Sequence, residues 1–409
     1  MTVGTMLSRY TITGLLISMF TGMLLCAAFL LSGYSFLAWI GLFPLLTAQM
    51  IQRPKYSFFF WLISGIIFYI GVFGWIAQVG KFRLPYHAIL LLYFGAYFGI
   101  FGLLLGFIAK KLSNTMALFS APFLWVVLEY VRANMSFLGL PLGLMAHSQY
   151  ENRLVIQIAS VTGAYGVSFI IVMVNSAFAG IALYALSSIR NKTLAFLTIS
   201  RLGLITLVGI TFILTTLTLF YGQMTVSRPL TGEEVKVAVV QGNIEQTKKW
   251  DRRYAGSIMN TYTSLTHEVS KEIPALIIWP ETATPGAINQ RPRLYRRISH
   301  IASETGAYIL LGSSQHQKFR KQNPKKLKYF NSAFLISPEE TARKKRYDKI
   351  RLLPFGEYLP LERTIPWSWI KVPDVGSYTP GKAYTLFEIP ALQFGVTICW
   401  ESAFPELVR

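Results

Sequence analysis

Up to position 222 the chain is a succession of long apolar runs with short polar connections; beyond it, short apolar runs alternate with polar, helix-forming stretches. The apolar runs near 11–31, 34–51, 57–79, 87–109, 115–135, 163–188 and 202–222 each approach or exceed the roughly 18 to 20 residues that a helix needs to cross a bilayer. The pattern predicts seven spans in residues 1–222 and a separate domain over 223–409. Arg9 ahead of the first run resembles the start of a cleavable signal, but six further runs favour an anchor. Pro122, Glu129 and Arg132 interrupt the fifth run, and such groups within a span face a cavity or snorkel outward.

The second half reads as an α/β layer architecture. Val235 to Gln241 is a buried strand entering a Gly-Asn turn, and a helix is expected over Tyr254 to Glu272. Ala275 to Trp279 is a second strand, a helix follows near Pro292 to Thr305, and Ala307 to Gly312 is a third strand. Tyr329 to Ile336 has an antiparallel texture, and Leu392 to Ile398 reads as a strand that ends directly at Cys399. Ser227 to Gly232 is a short hinge. Gly376, Pro380 and Gly381 make their stretch a candidate lid.

Charge adds orientation. Arg9, Arg53, Lys55, Lys110, Lys111, Arg190, Lys192 and Arg201 fall in connections on one side, and half as many, Lys81, Arg83, Arg132 and Arg153, on the other. Basic residues favour the cytoplasmic side, so the N-terminus is expected there and seven crossings place the second domain outside the cytoplasm. The net charge of +20 is shared equally, with 12 basic and 2 acidic residues up to position 222 and 27 and 17 after it. The basic run Lys318, Arg320, Lys321, Lys325, Lys326 and Lys328, followed by Arg343 to Arg346, suits either anionic lipid headgroups or a solvated loop. It carries no base-reading element, so no nucleic-acid partner is expected.

Candidate chemistry lies in three settings: Trp279-Pro-Glu281-Thr-Ala, Tyr347-Asp-Lys349-Ile-Arg, and Gly395-Val-Thr-Ile-Cys399-Trp-Glu401. Each follows a predicted strand, where sites form in open α/β sheets. Of the two cysteines, Cys26 reads as packing in the first span. Cys399 is a lone thiol in a domain expected outside the cytosol, a suspect nucleophile. A thiol attacks as thiolate and needs a base or a nearby cation. His267, His300 and His316 lie on helices or polar loops away from strand ends, which leaves Glu281 as the base if burial raises its proton affinity, and Lys349 as a fixed charge for an oxyanion. No zinc-ligand spacing and no glycine-rich phosphate loop occurs, so neither metal nor cofactor is expected.

At these residues a family resemblance becomes plain. The second half resembles the nitrilase, or carbon–nitrogen hydrolase, superfamily, and the whole chain resembles the bacterial apolipoprotein N-acyltransferases. The motifs are Gln241-Gly-Asn-Ile, Trp250-Asp251, Trp279-Pro-Glu281, Tyr347-Asp-Lys349, Pro354-Phe-Gly-Glu357 and Cys399-Trp-Glu401. The resemblance implies a multi-span membrane domain plus an extracytoplasmic αββα sandwich, with Glu281 as general base, Lys349 stabilising the tetrahedral intermediate and Cys399 carrying an acyl thioester. Glu357, Trp250, Trp400 and Glu401 are implied around the acyl pocket, with Trp400 where the family often has Tyr. The implied substrates are a phospholipid acyl donor and the amine of a lipoprotein's diacylglyceryl-modified N-terminal cysteine, handled by a monomer in the bacterial inner membrane with its catalytic domain in the periplasm. The family continues past the position of Arg409 with more sandwich and a last span, so the C-terminal part of the fold is expected to be absent. Two other readings stay open on the residues alone: a membrane-tethered amidase with the same triad, and a transporter or scaffold carrying a binding module.

Overall fold

The computed structural model describes residues 3–50, 54–78, 84–189, 199–318, 327–339, 345–362, 364–365 and 376–408. The chain divides into two compact units, Met1–Pro229 and Leu230–Arg409. The boundary falls beyond Gly222 because the last helix of the first unit continues to Val226.

The first unit is helical: α1 (Val3–Leu30), the short α2 (Ala38–Gly41) and α3 (Phe43–Gln49), α4 (Pro54–Val72), α5 (Leu84–Lys111), α6 (Asn114–Asn134), the single turn α7 (Arg153–Ile156), α8 (Ala159–Ile189) and α9 (Arg201–Val226). Where the sequence predicts seven spans, five of these helices, α1, α5, α6, α8 and α9, are long and apolar enough among the described residues. Helix α4 has 19 residues, about 28 Å at 1.5 Å per residue, against a hydrocarbon core of about 30 Å.

The 34–51 run differs most from expectation. It breaks between α2 and α3, where Pro44 in the first turn of α3 lacks an N–H. The buried Asn175 satisfies the break: its Oδ1 accepts from the Leu42 and Phe43 N–H groups at 2.8 and 3.0 Å, and its Nδ2 donates to Ala38 O at 2.9 Å.

Contacts fix the helix directions. Gly14 faces Phe60, Gly22 faces Ser64 and Ile67, and Gly71 faces Cys26, so the paired numbers rise together and α1 and α4 are parallel. The chain between them therefore returns along the bundle. Its start is tied to Gln149 through Ser35 O, and its end reaches Gly102 and Trp61 through Gln49. The later neighbours are antiparallel: Gly65 faces Phe98 while Gly102 faces Trp61; Trp125 meets Phe98 and Phe101 while Met135 meets Tyr97; Phe123 meets Phe169 while Tyr130 meets Tyr165; Ser160 meets Tyr221 while Gly180 faces Leu204. Helix α9 thus leaves the bundle at the end where α1 finishes. Small residues let these helices approach closely, which is what drives association among apolar helices.

Glu129 and Arg132 neither snorkel nor line an open cavity. Both are buried, and they bind the non-helical connection after α6: Arg132 donates to the carbonyls of Leu140, Leu142 and Gly143 at 3.2, 2.6 and 3.3 Å, and Glu129 accepts from Met145 N at 2.7 Å.

The second unit runs β1 (Val237–Val239), α10 (Gln246–Lys249), α11 (Ala255–Ser270), β2 (Leu276–Ile278), α12 (Pro292–Thr305), β3 (Tyr308–Lys318), β4 (Leu327–Ile336), β5 (Lys345–Asp348), β6 (Phe387–Ile389), β7 (Leu392–Phe394) and α13 (Pro405–Val408). Strands β1 to β5 form one sheet in sequence order, parallel from β1 to β3 and antiparallel from β3 to β5. The parallel pairs need crossovers, supplied by α11 and α12. Helix α12 starts on Pro292 and stops at Gly306, which takes the left-handed φ of 66°.

The two-residue alternation of the strands builds two cores. Ile277, Ile309, Leu311, Phe334 and Ile336 pack with Ile258, Tyr262, Ile298 and Ile301 of the helices. Leu276, Leu310, Ala333 and Leu335 face the other way, onto Phe387 and Ile389 of the β6–β7 pair. The described unit therefore stacks helices, a mixed sheet and a small second sheet. The expected strand into Cys399 stops at Phe394, because its ladder ends where β6 ends, at Phe387 opposite Phe394. The basic run at 320–326, with Arg343 and Lys344, lies outside the described residues.

Candidate active site

The turns after β2 and β5 lie at the same end of the sheet's strands, with β3 and β4 between them. Glu281 follows β2 by three residues. Its turn is clamped onto β3, with Ala283 N donating to Gly312 O at 2.9 Å and Gly312 N to Pro280 O at 3.3 Å. A side chain at Gly312 would meet Glu281 Cα and Thr282 N at 2.6 Å, so only glycine lets the turn sit there. Lys349 directly follows β5, and its N–H donates to Asn331 O of β4 at 2.8 Å.

The side chains converge. Lys349 is buried, with Nζ 2.9 and 3.0 Å from the two Glu357 carboxylate oxygens and 3.9 Å from Glu281 Oε1. Asn331 Nδ2 donates to Glu281 Oε1 at 2.5 Å and to Glu357 Oε1 at 2.9 Å. Cys399 is exposed, opens a short 3-10 turn, and holds a φ of 50°. Asn243, Thr282 and Phe355, in three of the other motifs, also take left-handed φ between 47° and 62°. Such strain persists where surrounding structure holds it, commonly at functional sites.

Although the residue is exposed, the protein around its sulfur removes part of the water, and this partial desolvation raises the Cys399 thiol above its ordinary range; the Glu281 charge and its hydrogen bond raise it further, and Lys349 and the Trp400 N–H pull it down. The resting sulfur is therefore a thiol facing a carboxylate, and a base must take its proton on attack. The burial that the sequence reading asks of Glu281 is only partial: its side chain stays 35% exposed.

The remaining sequence candidates separate. Glu357 belongs to the cluster and accepts from Leu353 N at 2.7 Å. Glu401 is fully buried. It ties the Cys399 turn to the Lys349 loop, accepting from Tyr347 OH, Ile350 N and Arg351 N on one oxygen and Ile398 N on the other, all at 2.7–2.9 Å. Charge-assisted bonds of this kind contribute about 1.5–3 kcal/mol each. Trp400 packs edge-on against Phe404, and Trp250 is exposed on the loop after α10. Next to it, Lys249 touches the Glu281 turn instead, donating to Glu281 O at 3.0 Å. It lines a cavity of about 190 Å³ with Tyr262, Pro280 and Ala283.

Part of the candidate lid, 378–381, is hydrogen-bonded to the site. Tyr378 N donates to Glu357 O, Thr379 N to Tyr329 O and Gly381 N to Lys349 O, at 2.7–2.9 Å, which fixes this stretch as a strap over Lys349. Residues 366–375 lie outside the described residues. Among the described residues no group of three or more His, Cys, Asp or Glu is placed to hold a metal ion.

Sequence reasoning missed Asn331 and Lys249. Asn331 had a signal, a polar residue inside the apolar strand Tyr329 to Ile336; Lys249 had none beyond its neighbour Trp250.

The sequence profile of the apolipoprotein N-acyltransferase N-terminal domain matches residues 21–177, and that of carbon-nitrogen hydrolases matches residues 236–409. A Geobacter metallireducens apolipoprotein N-acyltransferase is 31% identical over 96% of this chain and 74% of its own length. The chain belongs to the apolipoprotein N-acyltransferase family. A Rickettsia typhi member is 27% identical over 86% of this chain, and a Treponema denticola member is 25% identical over 91%. The aligned region spans 64% of the Rickettsia protein and 71% of the Treponema protein. With its long apolar helices, this acyltransferase family member is a membrane protein.

Proposed function

We propose that this protein moves an acyl chain from a phospholipid, through a thioester on Cys399, to the N-terminal amine of a diacylglyceryl-cysteine on an apolipoprotein. The observation that carries the reading is the pairing, in one chain, of an exposed thiol facing Glu281 with a helical unit matched by the family's N-terminal domain. An amidase would use the same three residues with water as acceptor; the match over 21–177 weighs against it.

In the first half-reaction Cys399 Sγ attacks the ester carbonyl while Glu281 takes the thiol proton. Lys349 and the Trp400 N–H stabilise the negative charge that develops. The C–O bond breaks, the lysophospholipid oxygen leaves with the proton, and the thioester remains. In the second, the acceptor amine attacks the thioester, Glu281 takes its proton, an amide forms and the thiol is restored. Glu357 keeps Lys349 in place, and Glu401 holds the Cys399 turn against the Lys349 loop.

Seven passes with a cytoplasmic N-terminus would put this chemistry on the periplasmic side of the inner membrane. The parallel α1 and α4, and the exit of α9 at the far end of the bundle, support that path. Arg132 is buried among backbone carbonyls, so it drops out of the loop charges that oppose the assignment. Incubation with a phospholipid bearing a tagged acyl chain should label Cys399 as a hydroxylamine-sensitive thioester, discharged by a diacylglyceryl-cysteine peptide. Hydrolysis of small amides with no label from phospholipid would establish the amidase instead.

A further inference from the structure

We propose that Asn331 is a positioning residue: its amide nitrogen bridges the Glu281 and Glu357 carboxylates, so that both stay on Lys349 with Glu281 turned toward Cys399. The proposal rests on Glu281 serving as base to Cys399. Its geometry begins with a mismatch of charge. Two carboxylates lie within 4.0 Å of one ammonium, Lys349 Nζ, and Glu357 holds that nitrogen with both oxygens while Glu281 Oε1 stands 3.9 Å away. Lysine alone therefore does not hold Glu281. The missing contact is Asn331 Nδ2, 2.5 Å from Glu281 Oε1 and 2.9 Å from Glu357 Oε1.

A primary amide suits this place because one nitrogen carries two donors and no charge. Aspartate would bring a third carboxylate and serine a single donor. The orientation of the amide is set by the same contacts, since turning it over would aim its oxygen at two carboxylates. Asn331 Oδ1 is buried with no hydrogen-bond partner among the described residues. A buried acceptor without a partner calls for an explanation, and the two carboxylates, which need the amide nitrogen, supply one. The backbone fixes the side chain: Asn331 lies on β4 opposite Ser314, and its carbonyl accepts from Lys349 N at 2.8 Å.

The groups facing Glu281 are Lys349, Cys399, the Lys249 amine on its backbone carbonyl, the Tyr378 phenol and, through Asn331, Glu357. Negative charge added to this set disfavours the Cys399 thiolate. The test is the pH dependence of Cys399 alkylation by iodoacetamide in the full chain in detergent, with mass-spectrometric mapping to separate Cys399 from Cys26. Asn331→Asp should raise the alkylation midpoint by about one pH unit or more and slow thioester formation from phospholipid at neutral pH at least tenfold. Adding Glu357→Gln to Asn331→Asp removes one negative charge and should move the midpoint back.

Asn331→Ser, which adds no charge and keeps only one donor, should loosen Glu281 from the sulfur and lower the midpoint, and it carries the test if the aspartate variant does not fold. An unmoved midpoint in either folded variant, a fall in Asn331→Asp or a rise in Asn331→Ser, whatever the melting temperature, overturns the proposal. A wild-type protein that never forms a thioester with phospholipid would defeat the acyl-transfer reading. The alkylation midpoints would still decide the role of Asn331.

Discussion

Arg132 in the helical unit and Lys349 in the catalytic unit are each 2% exposed, yet their partners differ in kind. Arg132 spends its donors on three backbone carbonyls, and beside it Glu129 accepts from a backbone N–H. Those backbone partners cannot titrate or turn toward a substrate, and Trp125, whose Nε1 also donates to Glu129 at 2.9 Å, does not titrate either. Lys349 instead meets two carboxylates, one shared through Asn331 and close enough to an exposed thiol to set its proton affinity. A buried charge whose partners are backbone shapes the fold; one whose partners are ionisable side chains, beside a reactive atom, is equipped for chemistry.

The sharpest way to break this contrast is Glu281→Gln. Loss of the base should slow thioester formation about 10²–10⁴-fold. Meanwhile the midpoint for Cys399 alkylation should fall, because the Glu281 charge and hydrogen bond that raise the thiol are removed while burial remains. A rise in that midpoint would show that the carboxylate does not face the sulfur.

Gly312→Ala tests whether geometry alone matters. The added methyl would meet Glu281 Cα at 2.6 Å and must push the turn away, and a displacement near 1 Å costs about 10²-fold in rate. Thioester formation should drop by about that factor with the alkylation site intact. A rate within threefold of the parent would show that the Glu281 turn tolerates movement.

Arg132→Met should have the smallest effect on chemistry and a clear one on stability. It orphans carbonyls in the connection after α6, at roughly 1–3 kcal/mol for each one left unpaired. The melting temperature in detergent should fall, while thioester formation per folded molecule stays within about threefold. A collapse of rate at unchanged stability would make the two clusters alike.

These contrasts were partly legible in the sequence. Glu281, Lys349 and Cys399 stand out because each occupies a distinctive local setting, and the structure brings the three together at one end of the strands. The buried structural role of Arg132 was not legible, because its partners at 140–143 have no side-chain signature. Asn331 reaches Glu281 across 50 residues and Glu401 reaches Ile350 across 51, beyond any periodicity argument. The strand expected to run into Cys399 follows a local apolar pattern that ignores the length of its partner, β6. Likewise the 34–51 run reads as one span by composition, while Pro44 and the distant Asn175 decide where it breaks.

The account depends on Cys399 accepting an acyl chain from lipid. In the measurement that bears on it most directly, membranes carrying the protein are incubated with a phospholipid tagged on its acyl chain, and Cys399 is recovered by peptide mapping. The account predicts a hydroxylamine-sensitive acyl group on Cys399 that a diacylglyceryl-cysteine peptide discharges, absent in Cys399→Ser. Label that persists in Cys399→Ser, or a folded wild-type protein that takes none, would contradict it.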